Sequence, residues 1–244
     1  MTVEILQTLK FLAPFSDSGV LTPASLLEVG CGEGDLAVAL GEKLRVVAIE
    51  RNQSAALSAM QKCVNVIQMD FFDFPENEDK FDIVLFARSL HHIQPLEEAI
   101  CKTAKLLKPD GRMIIEDFAA EKADLATVNW YFRARRELNG VGLLSSHSRF
   151  HAVDSAPNAL TWWRQHHFEK HQVATSTEMR QAIAAHFTIE EESFVPYMYR
   201  YLLTDLLPGV DGTEVEWAIF EDEDRLCAEG QIIPIGYRLV AAKK

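Results

Sequence analysis

Residues 26–35 read Leu-Leu-Glu-Val-Gly-Cys-Gly-Glu-Gly-Asp (LLEVGCGEGD), and this stretch decides the fold. A short apolar run ends at Glu28-Val29, and glycines follow at every second position: Gly30, Gly32 and Gly34. Such a run, broken by glycine and followed by helical periodicity, predicts a buried strand, a tight turn and a helix start. Glycine permits positive φ and leaves no side chain between backbone and ligand. The expected product is a cradle of peptide N–H groups beside a helix N-terminus, at the carboxyl end of a strand.

The spacing narrows what the cradle holds. A dinucleotide fingerprint counted from Gly30 needs a third glycine at position 35, where Asp35 stands. No lysine follows the glycines, so the stretch is not a P-loop. Glu28, Glu33 and Asp35 would repel a pyrophosphate and suit a ligand carrying positive charge. Residues 45–50 (RVVAIE) predict a second buried strand ending in Glu50, roughly 20 residues on, the spacing at which an acid takes ribose hydroxyls. Residues 64–69 predict a third strand, ending before Asp70, Phe71 and Phe72. Residues 81–87 (FDIVLFA) predict a fourth, followed by Arg88-Ser89-Leu90-His91-His92-Ile93. The run LLKPDGR at 106–112 leads into a fifth at 113–115.

Taken in order from about residue 26 to 117, these elements resemble the class I S-adenosylmethionine-dependent methyltransferases, whose first motif has the form E-x-G-x-G-x-G. The resemblance implies a Rossmann-like, doubly wound α/β fold with a seven-stranded, mostly parallel sheet and an antiparallel last strand. It also implies S-adenosyl-L-methionine as cofactor and S-adenosyl-L-homocysteine as product. In that family the acid after the third strand lies at the adenine amino group, and an apolar neighbour packs on the ring. The cofactor-binding residues then fall at Glu28, Gly30, Cys31, Gly32, Gly34, Glu50, Arg51, Asp70, Phe71, Ala87 and Arg88. Plainer roles exist for some: Glu50 as an acid favourable at the next helix N-terminus, Asp70 as a turn initiator, Cys31 as filler.

Alternating strands and helices from 24 to 117 predict a parallel sheet with helices on both faces. We expect one domain over 1–244: an N-terminal helical segment at 1–23, a cofactor-binding half at 24–118, a helical substrate region at 119–186, and C-terminal strands and helix at 187–244. Leu36, Leu40 and Leu44 mark the core face of the first sheet helix, and Pro95 opens a helix running toward Leu107. A helix is expected at 176–186, a sixth strand at 187–195, a helix at 214–229, and a final strand at 232–241 with Pro234 suiting an edge.

Substrate is expected at the region after the fifth strand, because ligands of open α/β sheets sit beyond the strands' carboxyl ends. That region carries Trp130, Tyr131, Phe132, Phe150, Trp162, Trp163 and Phe168. Tyr197, Tyr199, Arg200 and Tyr201 form a second cluster, read as a helix begun after Pro196. The pocket candidates are Trp130, Tyr131, Trp163, Tyr197, Arg200 and Tyr201, with about half of the aromatics expected to be core instead. His91 and His92 are the candidates for a general base. His167 and His171 are four apart but lack the HExxH order, and no metal is expected there.

The chain has 24 Lys plus Arg against 36 Asp plus Glu, a formal net charge of -12. Nucleic-acid binding draws on cationic contacts to phosphate, so this balance argues against it; Arg133, Arg135 and Arg136 are the best local exception. The acidic run 221–224 reads as a solvated helix face. No long uncharged apolar segment suggests a membrane span. Four separated cysteines without a CxxC pair are read as reduced thiols in cytoplasm. The expected activity is methyl transfer to O or N of a small molecule. The alternatives are a tRNA-modifying methyltransferase, a non-catalytic binder of the cofactor and, more distantly, a nicotinamide dehydrogenase. Oligomeric state is left open.

Overall fold

The computed structural model describes residues 1–16, 23–62, 65–76, 81–145, 159–166, 173–210 and 214–244. Phe150, Phe168, His167, His171, Cys63 and Val64 lie outside the described residues. In chain order the elements are α1 (Val3–Ser16), β1 (Ser25–Val29), α2 (Asp35–Gly41), β2 (Arg45–Glu50), α3 (Gln53–Gln61), β3 (Val66–Gln68), β4 (Phe81–Ala87), α4 (Leu96–Leu106) and β5 (Leu107–Phe118). There follow α5 (Leu125–Gly140), α6 (Ala159–Arg164), α7 (Ser176–His186), β6 (Phe187–Val195), α8 (Tyr199–Leu203), α9 (Glu214–Ala228) and β7 (Gly236–Lys243).

The strands form one seven-stranded sheet in the order β3-β2-β1-β4-β5-β7-β6, with the last strands antiparallel and helices around it. β1 lies inside the sheet, beside the central β4, and its five residues are all buried, as those of a strand covered on both faces must be. It pairs in parallel with β2 (Leu26 opposite Val46) and with β4 (Leu27 opposite Val84). Chain order reverses between β1 and β4, the switch point beyond which open α/β sheets bind ligands.

The chain divides into two compact units. The first comprises Gln7–Asp117, Ser176–Ser193 and Tyr237–Lys244 and contains nearly all of the sheet. Within it Glu116 is buried, accepts the Thr8 hydroxyl and pairs with Arg238, whose guanidinium lies 4.8 Å from the Phe11 ring centroid. These contacts seat the C-terminal part of α1 and the last strand.

The second unit comprises Met1–Leu6, Phe118–Thr175 and Phe194–Gly236. Its core gathers Val128, Trp130, Tyr131, Phe132, Trp163, Tyr197, Tyr199 and Leu202. Trp163 is fully buried, donates its indole N–H to the Ala120 carbonyl at 3.3 Å, and meets Tyr201 edge-on at 5.3 Å.

Several sequence expectations shift. Residues 176–186 and 187–195 form the helix and strand expected of them. The third strand is shorter than 64–69, and the fifth extends to both sides of 113–115. The final strand starts at Gly236, so Pro234 lies in the preceding connection, and β7 sits between β5 and β6 rather than at the edge. Pro95 precedes the first turn of α4 as its cap residue, and Leu44 is buried just beyond α2. Around Tyr197 the helix starts later than expected, at Tyr199.

The acidic run is not a uniformly solvated face. Glu223 is fully buried and accepts the backbone N–H groups of Tyr197, Met198 and Tyr199 at 2.6–2.9 Å, capping α8. Burial pushes its carboxyl up to about 7 despite those three donors and the nearby Arg200.

Candidate active site

The glycine bend follows from β1's register. Gly30 and Cys31 both donate their N–H groups to the Ile49 carbonyl, at 2.8 and 3.1 Å, which turns the chain over the tip of β2. All three glycines are left-handed, with φ of +75° at Gly30, +55° at Gly32 and +83° at Gly34, where α2 begins. The Ser89 hydroxyl donates to the Val29 carbonyl and holds the loop after β4 against the bend.

Glu50, ending β2, braces the bend from the side. Its Oε2 accepts the Gly32 N–H at 2.9 Å and its Oε1 accepts the Asn52 N–H at 2.8 Å. Asn52 in turn caps α3, accepting the Ala55 N–H at 3.1 Å. Glu50 therefore stands at the opening of α3 and lines a cavity at the strand tips.

Asp70 caps the short turn Phe71–Asp73, accepting the Phe72 N–H on Oδ1 at 2.9 Å. The buried ammonium of Lys102 donates to the Phe72 carbonyl at 2.9 Å and also to that of Phe74, fixing this turn from α4. Phe71 packs edge-on against Phe86 of β4, ring centres 5.7 Å apart.

These pieces enclose a cavity of about 490 Å³, within the range of roughly 300–1,000 Å³ typical of small-molecule sites. Its walls include Gly30, Glu50, Arg51, Asp70, Phe71, Arg88 and His92. Sequence reasoning did not single out Asn52, Met69, Phe72, Ser89, Ile93 and Gln94, which also line it. Their signal was position alone, since each lies in a connection that follows a strand tip. Ala87 ends β4 one residue before the wall.

Glu28 and Cys31 lie behind the bend. Glu28 is 2% exposed, and its Oε2 has no hydrogen-bond partner among the described residues. Burial pushes its carboxyl up to about 8, with the Arg88 guanidinium pulling the other way. Arg88 is itself held at φ +59°, a conformation unfavourable for a side-chain-bearing residue and concentrated at functional sites. Burial, with Glu28 and Glu50 nearby, raises the Cys31 thiol to about 12, so it remains a neutral filler of the turn.

The two histidines after β4 differ. His91 is buried, with its Nδ1 2.6 Å from Asp117 Oδ1 and its backbone N–H donating to Asp117 Oδ2 at 3.2 Å. His92 lies against His91, ring centres 3.9 Å apart and planes tilted by 43°, and lines the cavity. Asp117, at the end of β5 and fully buried, carried no sequence signal beyond its place in a strand.

Trp130, Tyr131, Trp163, Tyr197 and Arg200 are buried in the second unit, and Tyr201 packs against its core. Trp130 donates its indole N–H to Asp222 at 2.8 Å, and the Arg200 guanidinium pairs with Glu4 at 3.1 Å. Of the three arginines considered as a basic patch, Arg135 is buried with Asp205 3.7 Å away, and Arg133 lies 3.7 Å from Asp222.

The bend makes a clear prediction. A Cβ at Gly30 would stand 2.8 Å from Ser89 Cβ, whereas one at Gly32 would meet no atom within 4 Å. Gly30→Ala is expected to lose roughly 3 kcal/mol, from overpacking and the left-handed backbone together. Gly32→Ala is expected to lose only about 1 kcal/mol, from the backbone alone. Urea unfolding of the two variants checks the order.

Comparison with known proteins gives three concordant findings. A family described as "Methyltransferase domain" matches residues 2–186. The chloroplastic 2-phytyl-1,4-beta-naphthoquinone methyltransferase of Arabidopsis thaliana is 27% identical over 124 residues, covering 45% of this chain and 48% of that protein. This chain thus spans about half the length of the curated relatives it matches. Among solved structures, the geranyl diphosphate C-methyltransferase of Streptomyces coelicolor, in complex with S-adenosyl-L-homocysteine, superposes with a TM-score of 0.60 at 13% identity, covering 98% of this chain and 79% of that one. The N-methyltransferase NodS of Bradyrhizobium japonicum, also with S-adenosyl-L-homocysteine, gives 0.55 at 12% identity, covering 99% and 88%.

Proposed function

Because this chain belongs to the class I S-adenosylmethionine-dependent methyltransferases, we propose that the strand-tip cavity holds S-adenosyl-L-methionine for methylation of a small molecule at O or N. The observation that carries this reading is the convergence of a left-handed glycine bend and the Glu50 and Asp70 carboxylates on one cavity. The residues present suit the cofactor. Open space stands beside Gly32, and the buried, unbonded Glu28 Oε2 awaits a cationic or donor group.

When bound, the cofactor supplies an activated methyl group on a sulfonium that departs as a neutral thioether. The Glu50 carboxylate, already aligned by two backbone N–H groups, accepts ribose hydroxyls on its remaining lone pairs. Asp70 keeps Oδ2 for the adenine amino group while Oδ1 caps its own turn, and Phe71 packs beside the ring. Glu28 and Arg88 set the charge behind the bend. Direct transfer asks the protein mainly to align the acceptor and exclude water.

His91 acts through its neighbours. Asp117 accepts its backbone N–H and lies 2.6 Å from its ring Nδ1, which fixes the loop from which His92 lines the cavity. His92 is then the base for an acceptor O–H or N–H. His92→Ala is expected to lower kcat by roughly 10²–10⁴-fold with S-adenosyl-L-homocysteine affinity nearly unchanged. Steady-state kinetics beside a binding titration checks this, and an unaltered kcat would remove the base.

A second reading, methylation at carbon, is favoured by the likeness to the ubiquinone/menaquinone biosynthesis C-methyltransferase of Marinomonas sp., 25% identical over 122 residues. Nucleic acid is the weaker partner: net charge is -12, and the arginine cluster reduces to Arg133 and Arg136 at the surface. Among the described residues no helix is long and apolar enough to cross a membrane. We read the enzyme as one methyltransferase domain, cytoplasmic, with reduced thiols. The test supplies methyl-labelled cofactor with a metabolite extract and, separately, with bulk tRNA. Label in the small-molecule fraction is expected, and product NMR assigns the methylated atom. Label in tRNA, or cofactor binding with no methylated product in any pool, would overturn the assignment.

A further inference from the structure

A second group of chemically able side chains lies on the outer surface of the sheet unit, apart from the glycine bend. Glu97 and Cys101 are four residues apart on α4, which places them on one helix face. His186, the last residue of α7, meets them there. Its Nε2 is 2.7 Å from Glu97 Oε1 and 3.4 Å from Cys101 Sγ, and the three donor atoms lie within 4.8 Å of one another.

The arrangement is not a Cys–His–Glu relay. A relay needs thiol and carboxylate on opposite ring nitrogens, so that a proton taken at one is balanced at the other. Here both approach the same nitrogen, which has one proton or one lone pair to offer. Three donor atoms gathered this closely are what a metal ion needs. The set of thiolate sulfur, imidazole nitrogen and carboxylate oxygen matches a borderline-soft divalent ion. With bonds of about 2.3 Å to sulfur and 2.0 Å to nitrogen, tetrahedral neighbours stand roughly 3.5 Å apart. The sulfur–nitrogen separation of 3.4 Å already has that value. The carboxylate, on a side chain 59% exposed, needs to open by less than about 1 Å.

We propose that Glu97, Cys101 and His186 form a zinc-class metal site that ties the end of α7 to α4, with water in the fourth position. On binding, a sulfur–metal bond replaces the S–H bond of Cys101 and the thiol proton leaves to the buffer, so affinity rises with pH. The site is independent of the cofactor reading, since none of its residues lines the strand-tip cavity.

The reduced protein titrated with Co²⁺, a spectroscopic stand-in for Zn²⁺, provides the test. One ion per chain is expected, with a thiolate-to-cobalt charge-transfer band, tetrahedral d–d intensity and displacement by Zn²⁺. Cys101→Ser should abolish the charge-transfer band. Glu97→Gln, a surface change that leaves the fold intact, should weaken binding by more than about tenfold, the smaller loss seen for outer-shell partners alone. S-adenosyl-L-homocysteine binding should be equal in all three proteins. Cobalt spectra that are octahedral, or that persist unchanged in Cys101→Ser, would overturn the site.

Discussion

Glu50→Ala is expected to weaken S-adenosyl-L-homocysteine binding by at least ~100-fold while the protein remains folded. Each hydrogen bond to a charged group contributes about 1.5–3 kcal/mol, and two ribose hydroxyls are lost together. The same substitution frees the Gly32 and Asn52 N–H groups, which Glu50 accepts at 2.9 and 2.8 Å. Water reaches this half-buried rim, so the loss of fold stability should stay near 1 kcal/mol. Glu50→Gln keeps one carbonyl acceptor and should fall between the two. Isothermal titration of the three proteins checks the order, and near-equal affinities would remove Glu50 from the cofactor site.

The second large effect runs against intuition: Glu28→Gln should stabilise the ligand-free protein at alkaline pH. Burial raises the Glu28 carboxyl to about 8, well above its value in the unfolded chain. The native state therefore binds the extra proton, and ∂ΔG/∂pH for unfolding is negative between the two values. Stability from this group is complete below about pH 4.3, the unfolded carboxylate range, and is lost as pH rises toward 8. A neutral amide removes that loss, worth on the order of 2 kcal/mol at pH 8 after allowing for its own burial. Urea unfolding of both proteins at pH 5 and pH 8 measures it, with Glu223, which shifts in the same direction, common to both. The cofactor's ammonium should draw Glu28 into its charged form, so binding near pH 7 releases a proton in the parent protein and none in Glu28→Gln. Titrations in buffers of different ionisation enthalpy count that proton. Equal release from both would place the ammonium elsewhere.

Much of the sheet was legible because buried parallel strands are continuous apolar runs, and here β1, β2 and β4 end in glycine, an acid or a polar loop. The same reasoning overran β3, whose Ile67 and Gln68 are exposed, and stopped short of the full length of β5, which begins directly after α4. Pairings across long sequence separations were not legible. Asp117 reads as one more strand residue until His91 is found 2.6 Å away. Arg135 and Glu223 read as helix surface, yet each is buried because a distant partner receives it: Asp205 for the first, the α8 N-terminus for the second. The same holds for Cys101 and His186, 85 positions apart, which no spacing rule would join. The aromatic region after β5 shows the opposite case. Its composition suited a pocket or a core equally well, and the described members are packed in the core of the second unit.

Equilibrium dialysis of the purified protein against labelled S-adenosyl-L-methionine reads occupancy of the strand-tip cavity. Saturable uptake of one molecule per chain is expected, displaced by S-adenosyl-L-homocysteine and strongly reduced by Glu50→Ala. No retention of label by the folded protein, or retention that Glu50→Ala leaves untouched, would contradict the cofactor assignment.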